Sequence, residues 1–150
     1  MLTQSSVNGI RTWTSPNGEL QLLKPMPHVL VTRFRGSMYD VHFAQVLMKA
    51  VEEHVALQRL PDIFHDWEGM QLYETESRTR MTEQSIRLLP RVGSFSVLAR
   101  SKVVRMGVSM ASLMLGGRIQ LYTARDEFEQ AIQRSVATRA QALASLHAAG

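Results

Sequence analysis

The sequence has no cysteine. That single absence excludes disulfides, thiolate metal sites, a thiol nucleophile and a dithiol redox pair, and it fits a reducing compartment. Long apolar runs are also missing. The longest, Val103 to Leu115, is interrupted by Arg105, Ser109 and Ser112 and is too short and too polar to span a bilayer. The start, Met1-Leu2-Thr3-Gln4-Ser5-Ser6, lacks the basic residues and apolar core of a secretory leader, so a cytoplasmic location is expected. The glycines form no phosphate-cradling loop, and no serine stands in a Gly-x-Ser-x-Gly elbow. The histidines, His28, His42, His54, His65 and His147, offer no i,i+4 pair of the kind a helical zinc site uses. No metal, no cofactor and no catalytic set is therefore expected.

What is present suits a globular protein. The chain has 150 residues, 45% of them apolar and 20% charged, enough for one buried core without a metal or cross-link. A single domain over 1–150 is expected, with loose ends of roughly eight residues at the start and a few at the finish. The formal charge is +4. Arg78, Arg80, Arg87, Arg91, Arg100, Lys102 and Arg105 cluster in sequence with only Glu83 among them. Such a run is a nucleic-acid candidate, but the solvated faces of two helices account for it better.

Periodicity orders the elements. Residues 8–14 can be extended, and Ser15-Pro16-Asn17-Gly18 is a turn. Glu19 to Leu23 and His28 to Phe34 read as strands joined in a hairpin, with Pro25 and Pro27 between them. Asp40 to Val55 is a helix with Phe43, Val46, Leu47, Ala50 and Val51 as its apolar stripe and Asp40 as its cap. A strand over Pro61 to Trp67, a helix over Ser77 to Leu89, a strand over Ser94 to Arg100 and a helix over Ser101 to Leu115 follow. Pro90 and Gly116-Gly117 end the two helices. Arg118 to Tyr122 is a short strand. Thr123-Ala124-Arg125-Asp126 reads as a capping box before the last helix. The expected fold is α/β, a mixed and mostly parallel sheet of about five strands with four helices.

This order resembles the SpoIIAA-like branch of the STAS fold, bacterial proteins related to anti-sigma-factor antagonists. The resemblance runs from about Leu20 to Ile132. It rests on Asp66-Trp67-Glu68 at the end of the middle strand, Val97-Leu98-Ala99 leading into a helix, and the run Ile119 to Ala131. It implies a regulatory protein whose serine, at the start of the helix after the middle strand, is phosphorylated by a partner kinase. The corresponding turn here, Asp66-Trp67-Glu68-Gly69, has no hydroxyl. Ser77 and Thr79, farther along, are the nearest substitutes, and Ser77 also reads as a helix cap.

Two segments stand out. The stretch Asp66 to Arg80 reads as a loop gathering Asp66, Trp67, Glu68, Tyr73, Arg78 and Arg80 at the carboxyl end of a strand, where open parallel sheets bind ligands. It is a contact site for a partner or a small anion, or a salt-bridged cover for the sheet edge. Asp66 and Glu68 would share one strand face, and His65 and Asp66 would point to opposite faces. The helix Ser101 to Leu115 has an apolar arc wider than one sheet face needs, with Met106, Met110 and Met114 as candidate interface residues. It is wedged within its own domain or docks a second subunit or partner. The leading expectation is a non-enzymatic regulatory or scaffold protein acting through another protein, with a homodimer as one form of partner. The alternative is a module for a small anionic ligand, nucleotide or lipid. Nucleic-acid binding and catalysis rank below both.

Overall fold

The computed structural model describes residues 2–149, with side chains described through residue 138 and at Leu146 and Ala148. Four antiparallel strands come first: β1 Thr3–Val7, β2 Ile10–Ser15, β3 Gly18–Met26 and β4 Val29–Gly36. The β1–β2 turn is Asn8-Gly9, with φ of 53° and 79°, the left-handed pair that a tight hairpin requires. From β4 onward the sheet is parallel, with β5 Asp62–Met70, β6 Ser94–Ala99 and β7 Ile119–Tyr122 added in turn. The helices α1 Val41–Leu57, α2 Thr75–Leu88 and α3 Lys102–Met114 make the crossovers, a short 3-10 turn Leu89–Arg91 follows α2, and α4 Arg125–Ala149 comes last.

The sheet order is the chain order, β1 to β7. Successive crossovers of one hand along such a sheet fall on the same face. The contacts agree: α1, α2 and α3 lie on one face, and α4 packs on the other. Strand alternation supplies a core to each. Leu30, Phe34, Ile63 and Val97 join Phe43 and Leu47 of α1 and Val104 of α3. Their neighbours Val29, Val31, Phe64 and Leu98 meet Phe128, Ala131 and Ile132 of α4.

Two expectations change. The sheet has seven strands rather than about five, and three of its six pairings are antiparallel, so it is parallel over half its width rather than most. The unread strand β1 is Thr-Gln-Ser-Ser-Val, exposed throughout, so it carries no alternation for a pattern to detect. The capping box before α4 is also absent. The helix begins at Arg125, Phe128 N–H donates to the Ala124 carbonyl, and among the described residues Asp126 Oδ1 accepts from the adjacent Glu127 N–H alone, at 3.0 Å.

The α1 cap forms as expected. Asp40 Oδ1 accepts from His42 N at 3.0 Å and Phe43 N at 3.1 Å, and Oδ2 accepts from Asn17 Nδ2 at 2.9 Å, tying the β2–β3 turn to the helix start. Asp40→Ala is expected to lower stability by about 1–2 kcal/mol, read as a shift of the urea midpoint at unchanged slope. Asp40→Asn, which keeps the capping oxygen, should recover most of that loss.

Candidate functional site

The carboxyl end of β5 presents two different surfaces. Strand geometry sends His65 and Trp67 toward α2 and α3, and Asp66 and Glu68 toward α4. The six residues grouped by sequence are thus divided by the sheet itself. They also do not lie on one loop: β5 runs to Met70, a link of four residues follows, and α2 begins at Thr75.

On the α4 side, Asp66 is only 4% exposed. Arg125 Nη2 donates to both of its oxygens, at 2.9 and 2.8 Å, and Arg33 Nε lies 3.3 Å from Oδ2. Arg125 Nε also donates to Glu68 Oε1 at 3.1 Å, and its Nη1 to Glu129 Oε1 at 2.8 Å. Arg33 Nη2 reaches the same Glu129 oxygen at 3.5 Å. Partial burial disfavours the Arg125 charge, but hydrogen bonds to Asp66 and Glu68 outweigh it and raise its pKa above the ordinary value. Asp66 and Glu68 do share a face, and both are held by one guanidinium. Sequence reasoning missed Arg125 and Arg33 because their partners lie on other elements, far away in the chain.

On the other side, His65 is buried, its Nδ1 2.7 Å from Thr32 Oγ1 and its ring stacked on Trp67 with centroids 4.9 Å apart. Burial pushes the imidazole pKa down to about 3, so the ring is neutral. Near this point β5 carries one extra residue. Arg33 pairs with Asp66, but Arg35 pairs with Gly69, and Met70 is thereby returned to the α1–α3 core. The link after β5 is tied to the start of α1: Tyr39 N donates to the Leu72 carbonyl at 2.9 Å and Glu74 N to the Tyr39 carbonyl at 3.0 Å. Tyr39 Oη donates to Met81 Sδ at 3.2 Å, and burial, helped by Asp40, raises its pKa.

Between this sheet face and α2–α3 lies a cavity of about 70 Å³, walled mainly by apolar side chains and reached by Trp67, Tyr73 and Arg78. Tyr73 crosses to α3, where its hydroxyl sits against Gly107. A Cβ at 107 would overlap that hydroxyl unless the ring moved aside, so the close approach favours glycine. Trp67 Nε1 and Arg78 Nε are buried without a hydrogen-bond partner among the described residues. Arg80 is apart from this group, paired with Glu76 on the exposed side of α2.

The hydroxyls singled out in the sequence differ sharply. Ser77 is 0% exposed, its Oγ has no partner among the described residues, and Glu74 rather than Ser77 occupies the cap position of α2. Thr79 is exposed and donates to the Thr75 carbonyl at 3.0 Å. Thr75, the first residue of α2, is exposed as well, and was overlooked because the helix starts two residues earlier than its pattern suggested.

Only part of the apolar arc of α3 is used within the chain. Val104, Gly107 and Val108 are buried, whereas Val103, Met106, Met110, Leu113 and Met114 are 46–82% exposed. Val103, Met106, Met110 and Leu113 follow at steps of three, four and three residues, with Met114 four beyond Met110, and these form one face, which no described element covers. Arg78 Nη1 lies 3.7 Å from Met110 Sδ at its border. The basic stretch is not one continuous patch: Arg87 is bound to Glu52 and Arg80 to Glu76. Among the described residues no group of histidines and acids is placed to hold a metal, and no helix is long and apolar enough to cross a membrane.

Solved structures share this architecture. An anti-sigma factor antagonist from Mycobacterium paratuberculosis superposes with a TM-score of 0.56 at 21% identity, over 76% of this chain and 94% of the other. The anti-sigma factor antagonist SpoIIAA in its unphosphorylated form gives 0.57 at 18% identity, over 79% and 96%. No family model matches the chain, and no curated protein matches it significantly. The chain therefore has the SpoIIAA-type STAS fold, as its element order led one to expect.

The neutral His65 has a consequence for stability. Its pKa is 6.5 in the unfolded chain and about 3 when folded, so the unfolded state takes up the proton first. Its contribution is complete above about pH 6.5 and is lost as pH falls toward 3, amounting to about 2 kcal/mol at about pH 5. His54, also lowered by burial, acts in the same direction. Urea midpoints should fall between about pH 7 and 5, and His65→Gln should flatten that dependence in part. An unchanged slope in the variant would refute the assignment.

Proposed function

We propose that the chain is a non-enzymatic, cytoplasmic regulatory protein that acts by docking another protein on α3, as an anti-sigma factor antagonist would. The observation that carries this reading is the exposed face Val103, Met106, Met110, Leu113 and Met114. Contiguous exposed apolar surface of this kind marks interaction sites, and methionines adapt to varied partners. The helix has Lys102 and Arg105 and no acidic residue. Its best complement is an apolar surface rimmed by carboxylates. A second copy of the chain would bring the same cations together, which favours a different protein over a homodimer. The acids at the end of β5 are engaged by Arg33 and Arg125, which leaves them poorly suited to general-base work. A phosphoryl switch in this chain would belong on exposed Thr75 or Thr79, since Ser77 becomes accessible only if α2 lifts.

The test is binding of purified anti-sigma factors from the source genome by calorimetry. The double variant Met106→Glu, Met110→Glu should weaken binding at least about tenfold with an unchanged circular dichroism spectrum, because charge is placed in the contact. Arg80→Glu should leave binding within about twofold, as that residue lies outside the face. Binding indifferent to the double variant would overturn the reading. So would a concentration-dependent dimer abolished by Met110→Glu, which would assign the face to self-association.

A further inference from the structure

Well-packed interiors leave few voids larger than a water molecule, and those that remain empty are apolar throughout. The cavity under α2 and α3 fits neither description. At about 70 Å³ it exceeds the roughly 30 Å³ share of one water. Its walls are mostly aliphatic and aromatic, with Val97 on the floor and Val104, Val108 and Ala111 on the α3 side. Yet two lining residues bring N–H donors, Trp67 Nε1 and Arg78 Nε, that are buried and have no partner among the described residues. Neither tryptophan nor arginine can accept a hydrogen bond, so only an acceptor would satisfy them.

Arg78 adds a charge. Arg33, Arg35, Arg80, Arg87 and Arg125 each have a carboxylate partner; Arg78, like Arg100 and Arg105, has no ion pair among the described residues, and of these three it alone lines the cavity, resting against Met110 Sδ. A cation at the border of an apolar chamber selects an amphiphile with one negative end. The size is bounded too. An apolar cavity of about 150 Å³ admits benzene; this one is about half as large, so it takes only a hydrocarbon end of about four carbons and leaves the charged head at the border beside Arg78. Nucleotides and phosphate esters need more donors and more room than this chamber offers.

We propose that this cavity is a binding site for a short, branched aliphatic monocarboxylate, its hydrocarbon end filling the space beside Val104 and Val108 and its carboxylate meeting Arg78 and Trp67 Nε1. The proposal does not rest on docking at α3, and its test requires no protein partner.

The chain has two tryptophans, Trp13 and Trp67, so Trp13→Phe leaves Trp67 as the reporter inside the cavity. Titration of that variant with isovalerate should change Trp67 emission saturably, with half-saturation below about 1 mM. Isoamyl alcohol, of the same shape but neutral, should bind at least about tenfold more weakly, and Arg78→Gln should cost the acid a similar factor. Ala111→Leu fills the chamber from α3 without touching Arg78 and should abolish the response, with folding checked by circular dichroism. The proposal is overturned by the absence of a saturable signal up to about 10 mM isovalerate, by equal affinity for acid and alcohol, or by a response that survives Ala111→Leu.

Discussion

A carboxylate withdrawn from water must be answered by cations and donors or it will not stay ionised, and Asp66 is answered from two directions. Arg33 reaches it from the neighbouring strand, and Arg125 from the first turn of α4. The second contact fixes where the last helix starts and therefore which of its faces meets Val31 and Phe64. Glu68 and Glu129 complete the ring and spread the charge. The network is a structural clamp between sheet and helix. Removing one member would leave another buried without its counter-ion, which is why such pairs are costly to break even where forming them contributes little.

The same strand serves the opposite purpose on its other face. There the side chains are neutral or apolar, and the polar atoms are few and specific. His65 is fixed by Thr32 and Trp67, Trp67 leans on Tyr39, and the aromatic cluster continues to Phe34 and Phe43. α2 is held to α1 through Gln84, which donates to the Met48 carbonyl at 2.7 Å, and through the Arg87–Glu52 pair. α3 has fewer such ties. It rests on Val104 and Val108 and turns its methionines outward, so a largely apolar helix leaves much of its apolar surface outside the core.

Much of this was legible in the chain, for identifiable reasons. The four helices were visible because their stripes and stops are local: Asp40 at one end of α1, Pro90 after α2, Gly116-Gly117 after α3. The central strands were visible because they are apolar or β-branched. β1 was not, since a strand exposed on both faces leaves no periodic mark. The site was legible in part. Alternation placed Asp66 and Glu68 together and His65 opposite, but the helix start was set too late, so Ser77 read as a helix cap and possible phosphosite when it is interior. The arginines that clamp Asp66, and the unpaired state of Arg78, follow from tertiary proximity that no spacing rule contains.

The contact between Tyr73 and Gly107 joins a residue before α2 to one in the middle of α3. Its consequence is historical as much as mechanical. The two positions are coupled: a side chain gained at 107 must push the phenol aside, and a smaller residue at 73 leaves a gap that glycine cannot fill. The two sites form one unit of inheritance. Descendants that keep this spacing of α3 above the sheet are under pressure to keep the ring and the bare backbone together, and a lineage that exchanges one should tend to exchange the other.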